Sequence, residues 1–239
     1  NREVEYETGE LMGPQKPKHI TKHAETCLEA LASRGLGKFL SLGGALGLSY
    51  YLDYRPTHDV DAWWLPSARE EDRRKVVALL EETLSRNGTV RIRSWGDVVS
   101  IELVIRQKVV FSFQIASRSA ELEGPQPAPW PPGMLLDSFR ELLAAKMVAL
   151  GAPRDFRDVH AVCQAGLAHP GTCWSLWRQR RELAGDDSAP ARARLAILTH
   201  LQRIELHRPL KSIPDTAERA QAEQLRAWFQ MEFLNGLVD

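Results

Sequence analysis

The chain has 239 residues, 31 Lys plus Arg against 31 Asp plus Glu, a formal net charge of zero and three cysteines. The neutral balance excludes a generally basic nucleic-acid binder and leaves only local basic patches, while the odd cysteine count excludes a disulfide-stapled scaffold and suits thiols in a reducing compartment. No apolar run approaches the ~18 residues of a membrane span, and the polar N-terminus lacks the apolar stretch of a signal peptide, so a cytoplasmic protein of two compact halves is expected. The first residue is Asn rather than Met, as in a trimmed or processed chain.

Residues 1–17 are mostly polar, hold Pro14 and Pro17, and read as a flexible arm. Ile20, Cys27, Leu28 and Leu31 then recur at helical spacing until Gly35 and Gly37 stop the helix. Lys38 to Leu42 reads as a buried strand, and Gly43-Gly44 turns it into a helix with Leu46, Tyr50 and Tyr51 on one face. Thr57 to Leu65 alternates and is rich in aromatic residues, which predicts a strand. Ser67 and Glu70 stand in capping-box spacing before a helix with the apolar stripe Val76, Val77, Leu80 and Leu84. Three strands follow, Thr89 to Ser94, Val98 to Arg106 and Val109 to Ile115, the last two forming a hairpin about Gln107 and completing a mixed sheet of about five strands.

Ser117 to Gly133 contains five prolines and reads as a linker without regular structure, marking a domain boundary. Every later segment reads as helix: Leu135 to Leu150, Asp155 to Gly166, Thr172 to Leu183, Ala191 to Leu206 and Asp215 to Leu234, the last opened by Asp215 and Glu218 in capping-box spacing. The expected organisation is an arm (1–17), an α/β (α+β) mixed-sheet domain (18–116), a linker (117–133) and an all-helical domain (134–239) closing a cleft.

The chemistry centres on Asp59-Val60-Asp61. Residues two apart in a strand point to one side, so the two carboxylates stand together and invite a hard divalent cation. A Gly-Gly turn before a helix lets backbone N–H groups approach an anion such as a triphosphate. Together they are the parts of in-line nucleotidyl transfer. Each part alone has a bland reading, a solvated strand edge or a tight turn.

In this arrangement Gly43-Gly44, Arg55, Thr57, Asp59 and Asp61 resemble the core motif of the AbiEii/AbiGii-type nucleotidyltransferases, G-G-[TSA]-x-L, a helix, then R-x-[ST]-x-D-h-D. Lys146-Met147-Val148-Ala149-Leu150 and Arg154-Asp155-Phe156-Arg157-Asp158-Val159 resemble the family's K-x-x-A-L and R-D-x-x-D-h segments, and the likeness spans residues 38–163. The resemblance implies a nucleotidyltransferase fold and a toxin of a toxin–antitoxin system. It implies Mg²⁺ or Mn²⁺ on Asp59 and Asp61, a nucleoside triphosphate against Gly43, Gly44, Arg55, Thr57, Lys146 and Asp155, and catalytic roles for Asp59, Asp61, Lys146 and Asp158. The acceptor it suggests is RNA, such as tRNA, or protein, with a cognate antitoxin as a further partner.

Two departures are visible. Ala45 stands where the family often has Thr or Ser, and VVFSFQI, residues 109–115, offers Gln114 where this fold usually adds a third carboxylate. With the hairpin centred near Gln107, Glu102 faces Ser112 and lies diagonal to Gln114, so either Glu102 or Gln114 is the candidate third metal ligand. A neutral amide holds a cation less well than a carboxylate does, which motivates an alternative reading as a nucleotide- or partner-binding module without turnover. A small-molecule nucleotidyltransferase of the antibiotic-modifying type is a further alternative. Lys146 emerges from an apolar stripe, as either a snorkelling core-edge lysine or a phosphate ligand. His160, Cys163, His169 and Cys173 are too irregularly spaced for a zinc knuckle. Trp174, Trp177, Arg178, Arg180 and Arg181, with Arg192, Arg194, Arg203 and Arg208, read either as core beside a solvated face or as a surface for an RNA acceptor.

Overall fold

A computed structural model gives the structure of residues 13–237. The arm expected over residues 1–17 lies outside the described residues except for 13–17. There Gln15 N–H donates to Tyr50 O at 2.8 Å and Lys16 pairs with Glu25 at 2.7 Å. The chain forms two compact units, with Gly13–Leu142 in one and Leu143–Asp239 in the other. No helix among the described residues is long and apolar enough to cross a membrane.

The first unit begins with α1 (Lys22–Ser33), whose Thr21 hydroxyl caps Ala24 N–H, followed by β1 (Leu40–Gly43), α2 (Gly44–Ser49) and β2 (Asp59–Trp64). Helix α3 (Glu70–Ser85) precedes β3 (Thr89–Trp95), β4 (Val98–Ile105) and β5 (Lys108–Ala116). The cap expected at Ser67 lies elsewhere. Ala68 N–H bonds Leu65 O in a turn, the helix starts two residues later, and the Asp72 carboxylate accepts the Arg69 N–H at 3.2 Å. The hairpin turns at Arg106-Gln107, both at positive φ (50° and 64°), where the sequence reading placed it.

Seven strands, rather than about five, form the sheet among the described residues, in the order β3-β4-β5-β2-β1-β7-β6. The additions are β6 (Gln126–Pro127) and β7 (Leu135–Leu136). Proline spacing therefore concealed a short strand: Pro127 sits in the edge strand β6, where a missing N–H is tolerated. Leu135 and Leu136, read as the start of a helix, instead pair in parallel with Ser41 and Leu42. Helix α4 (Phe139–Val148) starts after them and runs across the division between the units.

Alternation along the strands divides the sheet into two faces. Leu40, Leu42, Val60, Ala62, Ile101, Leu103, Phe111, Phe113 and Ile115 point to one side and form a core with Cys27, Leu28 and Leu31 of α1 and Val76, Leu80 and Leu84 of α3. The opposite face carries the polar partners described below.

The second unit contains α5 (Pro153–Gln164), α6 (Pro170–Leu183), α7 (Pro190–His207) and α8 (Thr216–Trp228), the last continuing as a π-turn over Phe229–Phe233. Asp215 caps α8 by accepting Glu218 N–H at 2.7 Å. Phe156, Trp174, Trp228, Phe229 and Phe233 stack at centroid distances of 4.7–5.2 Å, and Trp174 Nε1 donates to Phe233 O. Trp174 and Trp177 are thus core residues, and their rings are not presented for stacking on bases.

Candidate active site

Strand pairing places the polar face residue by residue. Gly43 is opposite Asp61, Asp61 is in register with Gln114, and Gln114 with Ser100. In the next row Asp59 is in register with Ser112, Ser112 with Glu102, and Glu102 with Arg91. Directly paired residues share a face, so Asp59, Asp61, Ser112 and Gln114 form one patch of hard oxygen donors. Ser112 Oγ donates to Asp59 Oδ1 at 2.8 Å, and Gln114 Nε2 donates to Ser112 Oγ at 3.4 Å. Ser112 was not singled out in the sequence, although its position two before Gln114 in an alternating strand puts it on the same side.

Glu102 has the predicted register but a different engagement. It lies two strands from Asp59, roughly 9–10 Å at ordinary strand spacing, and its Oε2 meets Arg91 Nη2 at 2.5 Å and Arg93 Nε at 3.6 Å. Its charge is balanced by those guanidinium groups.

The glycine pair has a steric reason. Gly44 is at φ +59°, and a Cβ there would overlap the Asp61 carboxylate. A Cβ on Gly43 would overlap Trp63 Nε1 and come within 3.3 Å of Asp137 Oδ2. The turn is thus bare because acidic and aromatic side chains pack directly against its backbone. Thr57 is buried and its hydroxyl donates to Asp59 O at 3.2 Å, supporting the start of β2. Arg55 lies against Tyr54, with Nε donating to the phenol oxygen at 3.0 Å.

Beside Gly43 lies a buried ionic cluster that the sequence reading missed. Arg118 Nη1 meets Asp137 Oδ2 at 2.9 Å and Glu141 Oε1 at 3.7 Å, and Arg118 Nη2 reaches Glu121 at 2.5 Å and Ser41 Oγ at 3.3 Å. Asp137 and Glu141 are each 1% exposed. Burial pushes the Asp137 carboxyl above its ordinary value, against the opposing pull of Arg118. The one available signal was Glu141, a charge directly before the apolar run Leu142 to Ala145.

In the second unit the predicted residues Lys146, Asp155 and Asp158 come together. Lys146 Nζ is 2.7 Å from Asp158 Oδ2 and 3.3 Å from Asp155 Oδ1. Asp155 is the third residue of α5, and its Oδ2 accepts the N–H of Ala152, the N-cap residue, at 3.3 Å. Asp158 is 1% exposed.

The donor set suits a hard divalent ion. Asp59 and Asp61 supply two carboxylates, and Ser112 and Gln114 supply neutral oxygens. Magnesium is ordinarily held by one or two carboxylates with waters and phosphate oxygens completing its shell. Among the described residues no group of three or more His, Cys, Asp or Glu is placed to hold a metal ion.

Residues 26–232 match the family described as nucleotidyl transferase AbiEii toxin, type IV toxin–antitoxin system. Among solved structures the chain is similar to an antigenic nucleotidyltransferase-like protein from Paracoccidioides brasiliensis, at 14% identity and a TM-score of 0.39, over 88% of this chain and 95% of that one. No curated protein matches.

Proposed function

Because the chain belongs to the nucleotidyl transferase AbiEii toxin family, we propose that the polar face of its sheet is a nucleotidyl-transfer site that moves a nucleoside monophosphate from a triphosphate to a hydroxyl of RNA or protein. The observation that carries this reading is the placement of Asp59 and Asp61 on one face of β2, with Ser112 and Gln114 in register and Gly43-Gly44 against Asp61. Asp59 and Asp61 would hold Mg²⁺ or Mn²⁺, which supplies charge neutralisation for the triphosphate when bound. Ser112, donating to Asp59, fixes the rotamer of that carboxylate. Gly43 and Gly44 are assigned to the triphosphate through their main-chain N–H groups, beside the Asp61 and Trp63 side chains that pack on the turn.

In the reaction the acceptor oxygen bonds to the α-phosphorus as the bond from that phosphorus to the pyrophosphate oxygen breaks. Pyrophosphate departs and the acceptor proton is released to solvent. Lys146 is assigned to neutralising phosphate charge, with Asp155 and Asp158 orienting its ammonium. Arg55 and Thr57, in the first unit, are assigned to nucleotide binding. A cognate antitoxin is the partner that the family description suggests.

A second reading has its own observation. Gln114, directly in register with Asp61, is neutral, and Glu102 is engaged by Arg91, so two carboxylates serve where three are usual. A nucleotide-binding module without turnover would have this donor set. Incubating the protein with labelled nucleoside triphosphates, Mg²⁺, total RNA and total protein separates the two. Transfer that is lost in Asp59→Asn supports the enzyme. Nucleotide binding without transfer to either pool supports the module. Label on aminoglycosides alone would move the acceptor to small molecules.

A further inference from the structure

The second unit holds an open pocket of about 420 Å³ between the 151–153 turn and the last two turns of α7. Its lining includes His200, Arg203, His207 and Arg208, together with the apolar Pro153 and Ile204, and no acidic residue. His200, Arg203, Ile204 and His207 fall at i, i+3, i+4 and i+7, so one face of α7 supplies most of the wall. Among the described residues Arg208 is paired with Glu218 at 2.7 Å, whereas Arg203 has no acidic partner. Basic residues in the last turn of a helix answer its dipole, which accounts for His207. That explanation does not extend to Arg203 and His200, one and two turns further back. A neutral protein has thus gathered two guanidinium groups and two imidazoles on one concavity, with one guanidinium uncompensated.

We propose that this pocket binds a phosphate ester. A guanidinium offers two parallel N–H donors matched to two phosphate oxygens, and imidazole N–H groups supply further donors to a tetrahedral anion. The volume exceeds that of a single phosphate, and Pro153 and Ile204 offer apolar contact to the sugar or base attached to it. None of the residues assigned to nucleotidyl transfer lines the pocket; Asp155 touches it only through the Ala152 N–H, so the test reads Gly151 and Arg203. The phosphate can belong to a free nucleotide or to an oligonucleotide, two sources with the same recognition chemistry.

Amide and Arg side-chain NMR on the full chain, titrated in turn with inorganic pyrophosphate, a nucleoside triphosphate without Mg²⁺ and a 5′-phosphorylated RNA tetranucleotide, tests the proposal. The expected result is saturable shifts at Gly151 and Arg203, with affinity reduced about tenfold in Arg203→Gln and largely kept in Arg203→Lys. Asp59→Asn is expected to leave these shifts unchanged, which separates this pocket from the transfer site. Tighter binding of the tetranucleotide identifies an RNA chain as the source, and tighter binding of the triphosphate identifies a free nucleotide. Absence of shifts at these residues, or equal affinity in wild type and Arg203→Gln, overturns the proposal.

Discussion

Lys146 has only a tenth of its side chain exposed and faces two carboxylates, one of them 1% exposed, so it serves the fold whatever it does for a phosphate. Removing one partner of a buried pair is costly because a buried charge loses its counter-ion. Lys146→Met is expected to lower unfolding stability by about 3 kcal/mol. The double variant Lys146→Met, Asp158→Asn is expected to recover much of that loss in a denaturant titration. Nucleotide transfer should stay low in both if the ammonium also acts on phosphate. His160 gives a prediction of opposite origin. Burial depresses its pKa, Glu232 pulls the other way, and its Nε2 has no hydrogen-bond partner among the described residues. A depressed folded-state pKa contributes stability above the unfolded value of about 6.5 and loses it as pH falls through the folded value. The melting temperature should therefore drop between pH 7.5 and pH 5, and less so in His160→Phe, which keeps an aromatic ring beside Trp228. Equal drops in the two proteins would contradict this.

At the scale of elements the strand–turn–helix of β1 and α2 sets the site, because Gly44 at φ +59° lets the chain turn while Asp61 packs against it. Gly44→Ala is expected to destabilise by roughly 1–3 kcal/mol from the left-handed backbone and the overlap together. It should also weaken Mg²⁺-dependent nucleotide binding by displacing Asp61. Unchanged binding at full stability would contradict the packing argument. The pairing of β4 with β5 was legible from alternation and the turn near Gln107, and Glu102 does face Ser112, but through an irregularity that the sequence did not show: the turn sets Val104 opposite Val109, and the register shifts between Leu103 and Val104. What Glu102 pairs with was not legible, since Arg91 and Arg93 come from an edge strand whose partner side chains depend on sheet order. Strands β6 and β7 escaped notice because two-residue strands carry no periodicity. The Arg118, Asp137 and Glu141 cluster escaped for a related reason: its members are separated by up to 23 residues and meet only through tertiary folding. Lys146, Asp155 and Asp158 were singled out through the family resemblance, and the ion pairs that join them across two adjacent helices were not read from the sequence.

For the whole molecule, zero net charge is compatible with local patches of either sign. Carboxylates gather on the polar face of the sheet in the first unit, and basic side chains gather at the end of α7 in the second. The family match runs through both units, over residues 26–232. The central claim of the proposed transfer function is that Asp59 and Asp61 bind a divalent ion together with a nucleoside triphosphate. Isothermal calorimetry of the full chain, titrating each of the four ribonucleoside triphosphates with and without Mg²⁺ into wild type, Asp59→Asn and Asp61→Asn, tests it most directly. The account predicts Mg²⁺-dependent binding of at least one triphosphate by the wild type and its loss, by about tenfold or more, in each variant of unchanged stability. Equal binding by all three proteins, or none by the wild type, would contradict it.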